Sequence, residues 1–123
     1  MTIQWNDSQP IYWQLKELTI AMILDGTLGE GDALPSVRTV AADFQLNPIT
    51  VSKSYQALVD EDLVEKRRGL GMFVCIGARQ KLTESERQKF INEEWPAMIN
   101  RIRQLGLDVN QLIQSVTEKQ GDS

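Results

Sequence analysis

The sequence contains no histidine among its 123 residues. Histidine supplies most general acid–base chemistry near neutral pH and is the commonest metal ligand, so hydrolytic triads and histidine metal sites are excluded. The acidic residues are scattered along the chain, and none lies in the apolar, glycine-framed setting that would bring catalytic groups together. We therefore expect no enzymatic activity, no cofactor and no metal.

Cysteine and long apolar runs are almost absent as well. Cys75 is the single cysteine and cannot form an internal disulfide, which is typical of a protein from a reducing compartment. No apolar run approaches the roughly 20 residues that a membrane span needs, and the N-terminus lacks a secretory signal pattern. These absences predict a cytoplasmic protein with no membrane partner.

Positive charge is in deficit, since 13 basic residues face 17 acidic ones and the net charge is −4. A protein that binds duplex DNA needs positive charge at its contact surface. Residues 1–78 contain six basic and ten acidic side chains, yet five of the six basic ones fall within one 31-residue stretch. This clustering predicts a local basic surface on an acidic body. The five residues are Arg38, Lys53, Lys66, Arg67 and Arg68.

Apolar spacing predicts three helices in the first half of the chain. The first runs from Pro10 to Asp25, and the glycine- and proline-containing stretch 26–35 after it predicts a loop. The second helix opens with Ser36 as its N-cap, and the third begins at Asn47-Pro48, a cap followed by a first-turn proline. About three residues join the second and third helices, which is the helix-turn-helix spacing.

Two strands around a glycine turn, residues 63–68 and 72–76, predict a β-hairpin after the third helix. Residues 77–82 predict a short polar link, and Thr83 with Glu86 has the spacing of a capping box at the start of a long helix. Pro96 should kink or interrupt that helix, and Gly106 should end it. A last amphipathic helix follows from Asp108.

The fold class that follows is mainly α (α+β): a winged helix-turn-helix domain, residues 1–77, with a helical extension, residues 78–123. The two tail helices cannot bury their apolar stripes alone, so they must pack on the first domain, on a second copy of the chain, or on both. A homodimer is the default, because helix-turn-helix proteins bind paired half-sites. A ligand pocket and a surface for another partner are alternatives. The predicted dimerisation residues are Phe90, Ile91, Trp95, Met98, Ile99, Ile102, Leu105, Leu112, Ile113 and Val116.

Polar and basic side chains occupy the positions from which such a fold contacts double-stranded DNA. Short donors and acceptors open the third helix, as a major-groove reader requires. Arg38 lies one turn into the second helix, and basic residues beside glycines form the tip of the hairpin. The predicted DNA-binding residues are Ser36, Arg38, Asn47, Thr50, Ser52, Lys53, Arg67, Arg68 and Gly69.

Three motifs, LPSVRTVA at 34–41, NPITV at 47–51 and the stretch 65–74, resemble the GntR family of repressors. The resemblance covers residues 10–76 in order and spacing. It implies that operator DNA is contacted by the arginine after Pro-Ser, by the polar residues that open the third helix and by the wing-tip glycine. Those roles fall on Arg38, Asn47, Thr50, Ser52, Lys53 and Gly69. One departure is Ser52, because many relatives have a basic residue there.

Only about 45 residues follow Ile76, which resembles the short YtrA-type subfamily. Trp5-Asn6 and Pro10-Ile11-Tyr12 at the start of the chain also fit that subfamily. The resemblance implies dimerisation through the C-terminal helices and repression of an adjacent ABC-transporter operon. An unknown small-molecule effector is a further partner that the sequence leaves open.

Each of these interpretations has a structural alternative. Arg38 could form an ion pair with Asp43 or Glu30, and the basic residues 66–68 could simply protect an edge hairpin from aggregation. Asn47 is expected to cap its helix whether or not it also contacts DNA. The three tryptophans are interpreted as packing residues rather than a ligand cage. The acidic pI of about 4.8 leaves open a winged helix that binds protein instead of DNA.

Overall fold

The computed structural model describes the backbone of residues 4–121 and the side chains of residues 4–117. The chain forms two compact units, the first ending at Thr83 and the second beginning at Glu84. We describe each unit by itself. The predicted division of the chain into a DNA-binding domain, residues 1–77, and a helical dimerisation extension, residues 78–123, concerns what each part does. It remains a prediction.

The first unit contains three helices close to their predicted limits: α1 (Ile11–Leu24), α2 (Val37–Phe44) and α3 (Pro48–Asp60). Both predicted N-caps are present. The Ser36 hydroxyl accepts a hydrogen bond from the Thr39 amide, and the Asn47 side chain accepts one from the Ile49 amide at 2.9 Å. Three residues, 45–47, join α2 to α3. The helix-turn-helix is therefore confirmed.

The turn between α2 and α3 depends on a left-handed residue that is not glycine. Gln45 has φ 55° and ψ 47°, its amide donates to the Ala42 carbonyl, and the Leu46 amide donates to the Ala41 carbonyl. These two bonds form a Schellman motif, which satisfies the last carbonyls of a helix. A side chain with a Cβ pays a steric penalty in this conformation.

The predicted hairpin is present as β1 (Val64–Arg67) and β2 (Gly71–Val74), antiparallel with Val64 opposite Val74. The stretch before α2 is more ordered than the predicted loop, because part of it pairs with β2. Ala33 forms a bridge with Phe73, and the Leu34 amide donates to the Met72 carbonyl at 2.8 Å. The hairpin is thereby connected to the start of α2.

One hydrophobic core holds the helices and the hairpin together. Ile23 of α1, Val51 and Leu58 of α3, and Val64 and Val74 of the hairpin are all buried within it. The predicted packing role of the N-terminal tryptophan is confirmed, because the Trp5 ring meets the Phe44 ring edge-on at 6.2 Å. The structure is a mainly α winged helix-turn-helix with a small sheet, as predicted.

The polar link predicted over residues 77–82 is wrong. Helix α4 (Ala78–Lys89) already begins at Ala78, and Ala78 and Leu82 are buried in the core of the first unit. The predicted capping box is wrong for the same reason, since Thr83 lies inside the helix and its hydroxyl donates to the Arg79 carbonyl. Ala78 and Leu82 are only two apolar positions, and this pattern was too weak to predict that the start of α4 packs on the core.

The second unit contains the C-terminal half of α4, a π-helical turn (Phe90–Glu94), α5 (Trp95–Gln104) and α6 (Val109–Gly121). The predicted interruption at Pro96 is confirmed. Proline lacks an amide hydrogen and its ring collides with the carbonyl four residues earlier, and the wider π turn directly before it accommodates both effects. Gly106, with φ 67°, follows the end of α5 as predicted. No helix within residues 4–121 is long and apolar enough to cross a membrane.

Replacing Gln45 with glycine should stabilise the first unit. Glycine adopts the left-handed conformation without steric cost, but it loses more backbone entropy on folding than glutamine does. The relief of the steric penalty exceeds this entropic cost, so Gln45→Gly should raise the free energy of unfolding by about 0.5 kcal/mol. Urea denaturation followed by circular dichroism measures this difference. Gln45→Ala is the matched control and should give no such gain, because it keeps the Cβ. Equal stability of the glycine and alanine variants would contradict the strain argument.

Candidate nucleic-acid interface

A groove of about 480 Å³ lies between the start of α2, the exposed side of α3 and the hairpin. Four predicted DNA-binding residues line it although they come from three separate stretches: Ser36, Ser52, Arg67 and Gly69. The other lining residues are Leu34, Pro35, Val37, Tyr55, Gln56, Lys66, Leu70, Gly71 and Met72. We call this the helix–wing groove. The five remaining predicted residues, Arg38, Asn47, Thr50, Lys53 and Arg68, are not among those that line it.

A hydrogen bond from Tyr55 fixes one wall of the groove. Its hydroxyl donates to the Pro35 carbonyl at 2.6 Å, which ties α3 to the residue before the Ser36 cap of α2. Burial raises the pKa of Tyr55 to about 12. The hydroxyl therefore stays protonated, and stays a donor, throughout the neutral range.

The first turns of α3 present some of the predicted side chains to solvent and not others. Asn47 and Ser52 are exposed, whereas Thr50 is half-buried. Lys53 is exposed, but its ammonium group lies 4.1 Å from the centre of the Tyr12 ring on α1. This cation–π contact directs its charge toward α1.

The basic residues differ in how far their charge is neutralised within the chain. Arg67 is neutralised, because its guanidinium binds the Glu65 carboxylate at 2.8 Å and lies over the Phe73 ring. Arg38 and Arg68 are exposed, and neither makes an ion pair with another residue of the part of the chain whose side chains are described. The alternative pairing of Arg38 with Asp43 or Glu30 is therefore absent.

The acidic residues at the end of α3 lie far from its first turn. The helix has 13 residues and is roughly 20 Å long. Glu61, just beyond its end, binds Lys16 of α1 at 3.0 Å, and Asp62 lies 3.9 Å from Lys81 of α4. The carboxylates are thus concentrated and paired at the opposite end of the helix from the residues predicted to contact DNA.

Gly69 has the backbone conformation expected of a wing-tip glycine. Its φ is 77°, in the left-handed region, and the Leu70 amide donates to the Arg67 carbonyl to close the turn. A Cβ built on Gly69 would meet no atom within 4 Å. A substitution at Gly69 would therefore be strained by the backbone conformation and not by crowding. The space around Gly69 is open, so a ligand can approach the tip of the hairpin.

The predicted dimerisation residues are mostly exposed on the second unit. Ile102 is the exception, at 8% exposure, and Ile99 is half-buried, so these two pack within the chain itself. Leu107 is also exposed and was not predicted, because it lies between the two helical patterns. The exposed predicted residues are Phe90, Ile91, Trp95, Met98, Leu105, Leu112, Ile113 and Val116.

Three exposed residues of α3 and the hairpin turn were not among the predicted ones. Gln56 and Leu70 line the groove, and Ile49 is exposed in the first turn of α3. Helical periodicity held a signal for two of them, because Ile49 lies three residues before Ser52 and Gln56 four residues after it. Leu70 had no comparable signal, since a leucine between two glycines predicts only a turn.

Reactive and metal-binding groups are not prominent in the described part of the chain. Burial raises the pKa of the half-buried Cys75 thiol, which disfavours the reactive thiolate. Among the residues that the structure describes, no group of three or more cysteine, aspartate or glutamate side chains is arranged to hold a metal ion. The interface offers hydrogen bonds, positive charge and apolar contact.

A family profile described as "Bacterial regulatory proteins, gntR family" matches residues 11–74, which is more than half of the chain. The chain belongs to the GntR family. The HTH-type transcriptional repressor YtrA of Bacillus subtilis (strain 168) is 33% identical over 95% of this chain and 89% of its own length. The uncharacterized HTH-type transcriptional regulator YhcF of the same organism is 28% identical over 94% of each chain. A GntR family transcriptional regulator from Listeria monocytogenes superposes with a TM-score of 0.71, at 26% identity, over 93% of this chain and 98% of its own.

Membership of this family decides between the functional classes that the sequence left open. The chain is a DNA-binding transcriptional regulator of the YtrA type and not an enzyme. The alternative of a winged helix that binds only protein is set aside by the same finding. The family membership makes DNA the ligand of the chain, and the helix–wing groove is the candidate surface for it.

Removing the Tyr55 hydroxyl should destabilise the fold in a way that depends on pH. Tyr55→Phe leaves the Pro35 carbonyl without its partner, so the free energy of unfolding should fall by about 1 kcal/mol at pH 7. The contribution of Tyr55 is complete below pH 10 and is lost as pH rises through 12, because unfolded tyrosine ionises first. Urea denaturation from pH 7 to pH 12 should therefore show the wild-type advantage disappearing above pH 10. An advantage that stays constant to pH 12 would contradict the assignment.

Proposed function

We propose that the chain is a dimeric repressor that binds an inverted-repeat operator, with α3 of each protomer in the major groove of one half-site. The observation that carries the proposal is the helix–wing groove, where predicted residues from α2, α3 and the hairpin meet. The hairpin would then contact the groove that flanks the half-site. Repression is supported by the relative YtrA, which is named a transcriptional repressor.

Free positive charge supports this orientation of the protein on DNA. Arg38 and Arg68 are exposed at the start of α2 and at the wing tip, and they have no ion-pair partner among the described side chains. Arginine in such positions binds phosphates and fixes the register of the reading helix. Arg67 would have to exchange Glu65 for a phosphate, so its contribution should be the smaller one.

The second unit supports dimerisation. Eight of its ten predicted interface residues are exposed, and an apolar surface of this kind on a small helical unit is typical of a protein interface. A two-fold dimer places two reading helices one or more turns of DNA apart, which is how helix-turn-helix proteins recognise inverted repeats. We propose that α5 and α6 form this interface.

The cellular location and the regulated genes are also part of the proposal, and family membership supports both. We propose a cytoplasmic regulator whose operator lies near its own gene. An adjacent ABC-transporter operon is the target class that the subfamily resemblance suggests. A small-molecule effector would act through α5 and α6, because a dimer interface there sets the separation of the two reading helices.

The proposal predicts a salt-dependent complex with duplex DNA. The full chain should protect one inverted repeat upstream of its own gene in a footprint. The triple variant Arg38→Ala, Arg67→Ala, Arg68→Ala should bind that duplex at least about tenfold more weakly, with a log–log salt slope smaller by about 2. A control variant, Arg79→Ala, Arg87→Ala, Lys89→Ala, removes the same charge from α4 and should bind almost normally. Equal affinities of wild type and the first triple variant would refute the proposal.

Charge placed on the apolar surface of the second unit should separate the protomers. Wild-type protein should have twice the 14.0 kDa chain mass by light scattering, and Ile113→Asp should shift this to one chain mass. The reason is that a buried unpaired carboxylate is strongly unfavourable, whereas an exposed one is not. Ile76→Asp is a matched control on the first unit, also at an exposed isoleucine, and should remain dimeric. A monomeric wild type would exclude the dimer.

A further inference from the structure

The exposed side of α3 carries four side chains in one line. Ile49, Ser52, Lys53 and Gln56 are spaced by three, one and three residues, which places them on the same face of a helix. All four are exposed, while Val51 and other residues between them belong to the core. We call these four residues the reading stripe. It contains three polar side chains and one large apolar side chain.

Ile49 is not needed for the fold. Its side chain is 75% exposed, and it is not among the residues packed against the core. The hydrophobic staple at the start of a helix joins the residue before the cap to the fourth helical residue, and these positions hold Leu46 and Val51. Ile49 therefore exposes an apolar surface that packing does not explain.

Two of the other side chains of the reading stripe are already engaged. Lys53 lies over the Tyr12 ring, and the Gln56 amide donates to the Asp60 carboxylate at 2.9 Å. Ile49 and Ser52 have no such side-chain partner among the residues that the structure describes. The stripe contains no arginine, and the one basic side chain in it that can contact guanine, Lys53, is engaged with the Tyr12 ring.

We propose that Ile49 contacts the C5-methyl group of a thymine in each operator half-site and selects for that base. Thymine alone presents a methyl group in the major groove, and apolar side chains recognise it by contact. Ile49 stands in the first turn of α3, the part of a reading helix that contacts base edges. This inference rests on the proposed function, because it assumes that α3 enters the major groove.

The test removes the methyl group from the DNA and the apolar surface from the protein. A duplex selected by the full wild-type chain from a randomised library defines the half-site. Deoxyuridine then replaces thymine at one position at a time, which deletes only the methyl group. At one position per half-site the affinity of the wild type should fall about fourfold, which corresponds to about 0.8 kcal/mol. Fluorescence anisotropy at fixed salt gives the dissociation constants.

The matched variants assign that loss to Ile49. Ile49→Ala should bind the thymine duplex more weakly than wild type and bind the thymine and deoxyuridine duplexes equally well, which is the coupling that a double-mutant cycle measures. Ile76→Ala, at another isoleucine that is 80% exposed but lies outside α3, just after β2, should keep the fourfold difference. The deoxyuridine scan on wild-type protein needs no variant, so the inference can fail even if Ile49→Ala folds poorly.

The outcomes separate this inference from the proposed function. If the wild type binds the selected duplex tightly and no thymine position responds to deoxyuridine, the role of Ile49 is overturned and the proposed function stands. If Ile49→Ala keeps the same response as wild type, the role of Ile49 is also overturned. If the wild type selects no duplex at all, both are overturned.

Discussion

The hydrogen bond from the Tyr55 hydroxyl to the Pro35 carbonyl is the contact on which the interface depends. Tyr55 belongs to α3, and Pro35 directly precedes the Ser36 cap of α2. The neighbouring Leu34 amide donates to β2, so residues 34–36 link all three walls of the helix–wing groove. Since the pKa of Tyr55 is about 12, its hydroxyl remains protonated and this link does not change across the physiological pH range. The reading helix, the start of α2 and the wing are held as one unit by a few short-range bonds.

A protein with a net negative charge can bind DNA when its carboxylates are paired with lysines and its exposed arginines are left to contact phosphates. The carboxylates that follow α3 pair with Lys16 and Lys81 at the end of that helix, while Arg38 and Arg68 are exposed and make no ion pair with any described side chain. Net charge, here −4, is therefore a poor guide to the local potential at a binding surface. It does favour weak non-specific binding, because a duplex that does not fit the groove meets repulsion from the rest of the body.

Sequence reasoning predicted what depends on local signals and missed what depends on distant contacts. The limits of α1, α2 and α3 agree with prediction to within a residue or two, because caps such as Ser36 and Asn47 and apolar periodicity act over one or two turns. The pairing of residues 31–34 with β2 and the burial of Ala78 were missed, since neither leaves a trace in the neighbouring sequence. The contact of Lys53 with Tyr12 was missed for the same reason, because the two residues are 41 positions apart in the sequence. At the candidate interface, a search for polar residues selected Ser52, which does line the groove, and passed over the exposed Ile49 because it is apolar.

The reading stripe and the core use the same helix but share no residue. With the stripe on the operator as proposed, a substitution at Ile49 or Ser52 alters which operators are bound without any compensating change among Val51, Tyr55 and Leu58. After a gene duplication, two copies of this regulator could acquire separate sets of target genes through one or two substitutions each, with little change in folding stability. The architecture thus permits regulatory networks to diverge faster than the protein fold that serves them.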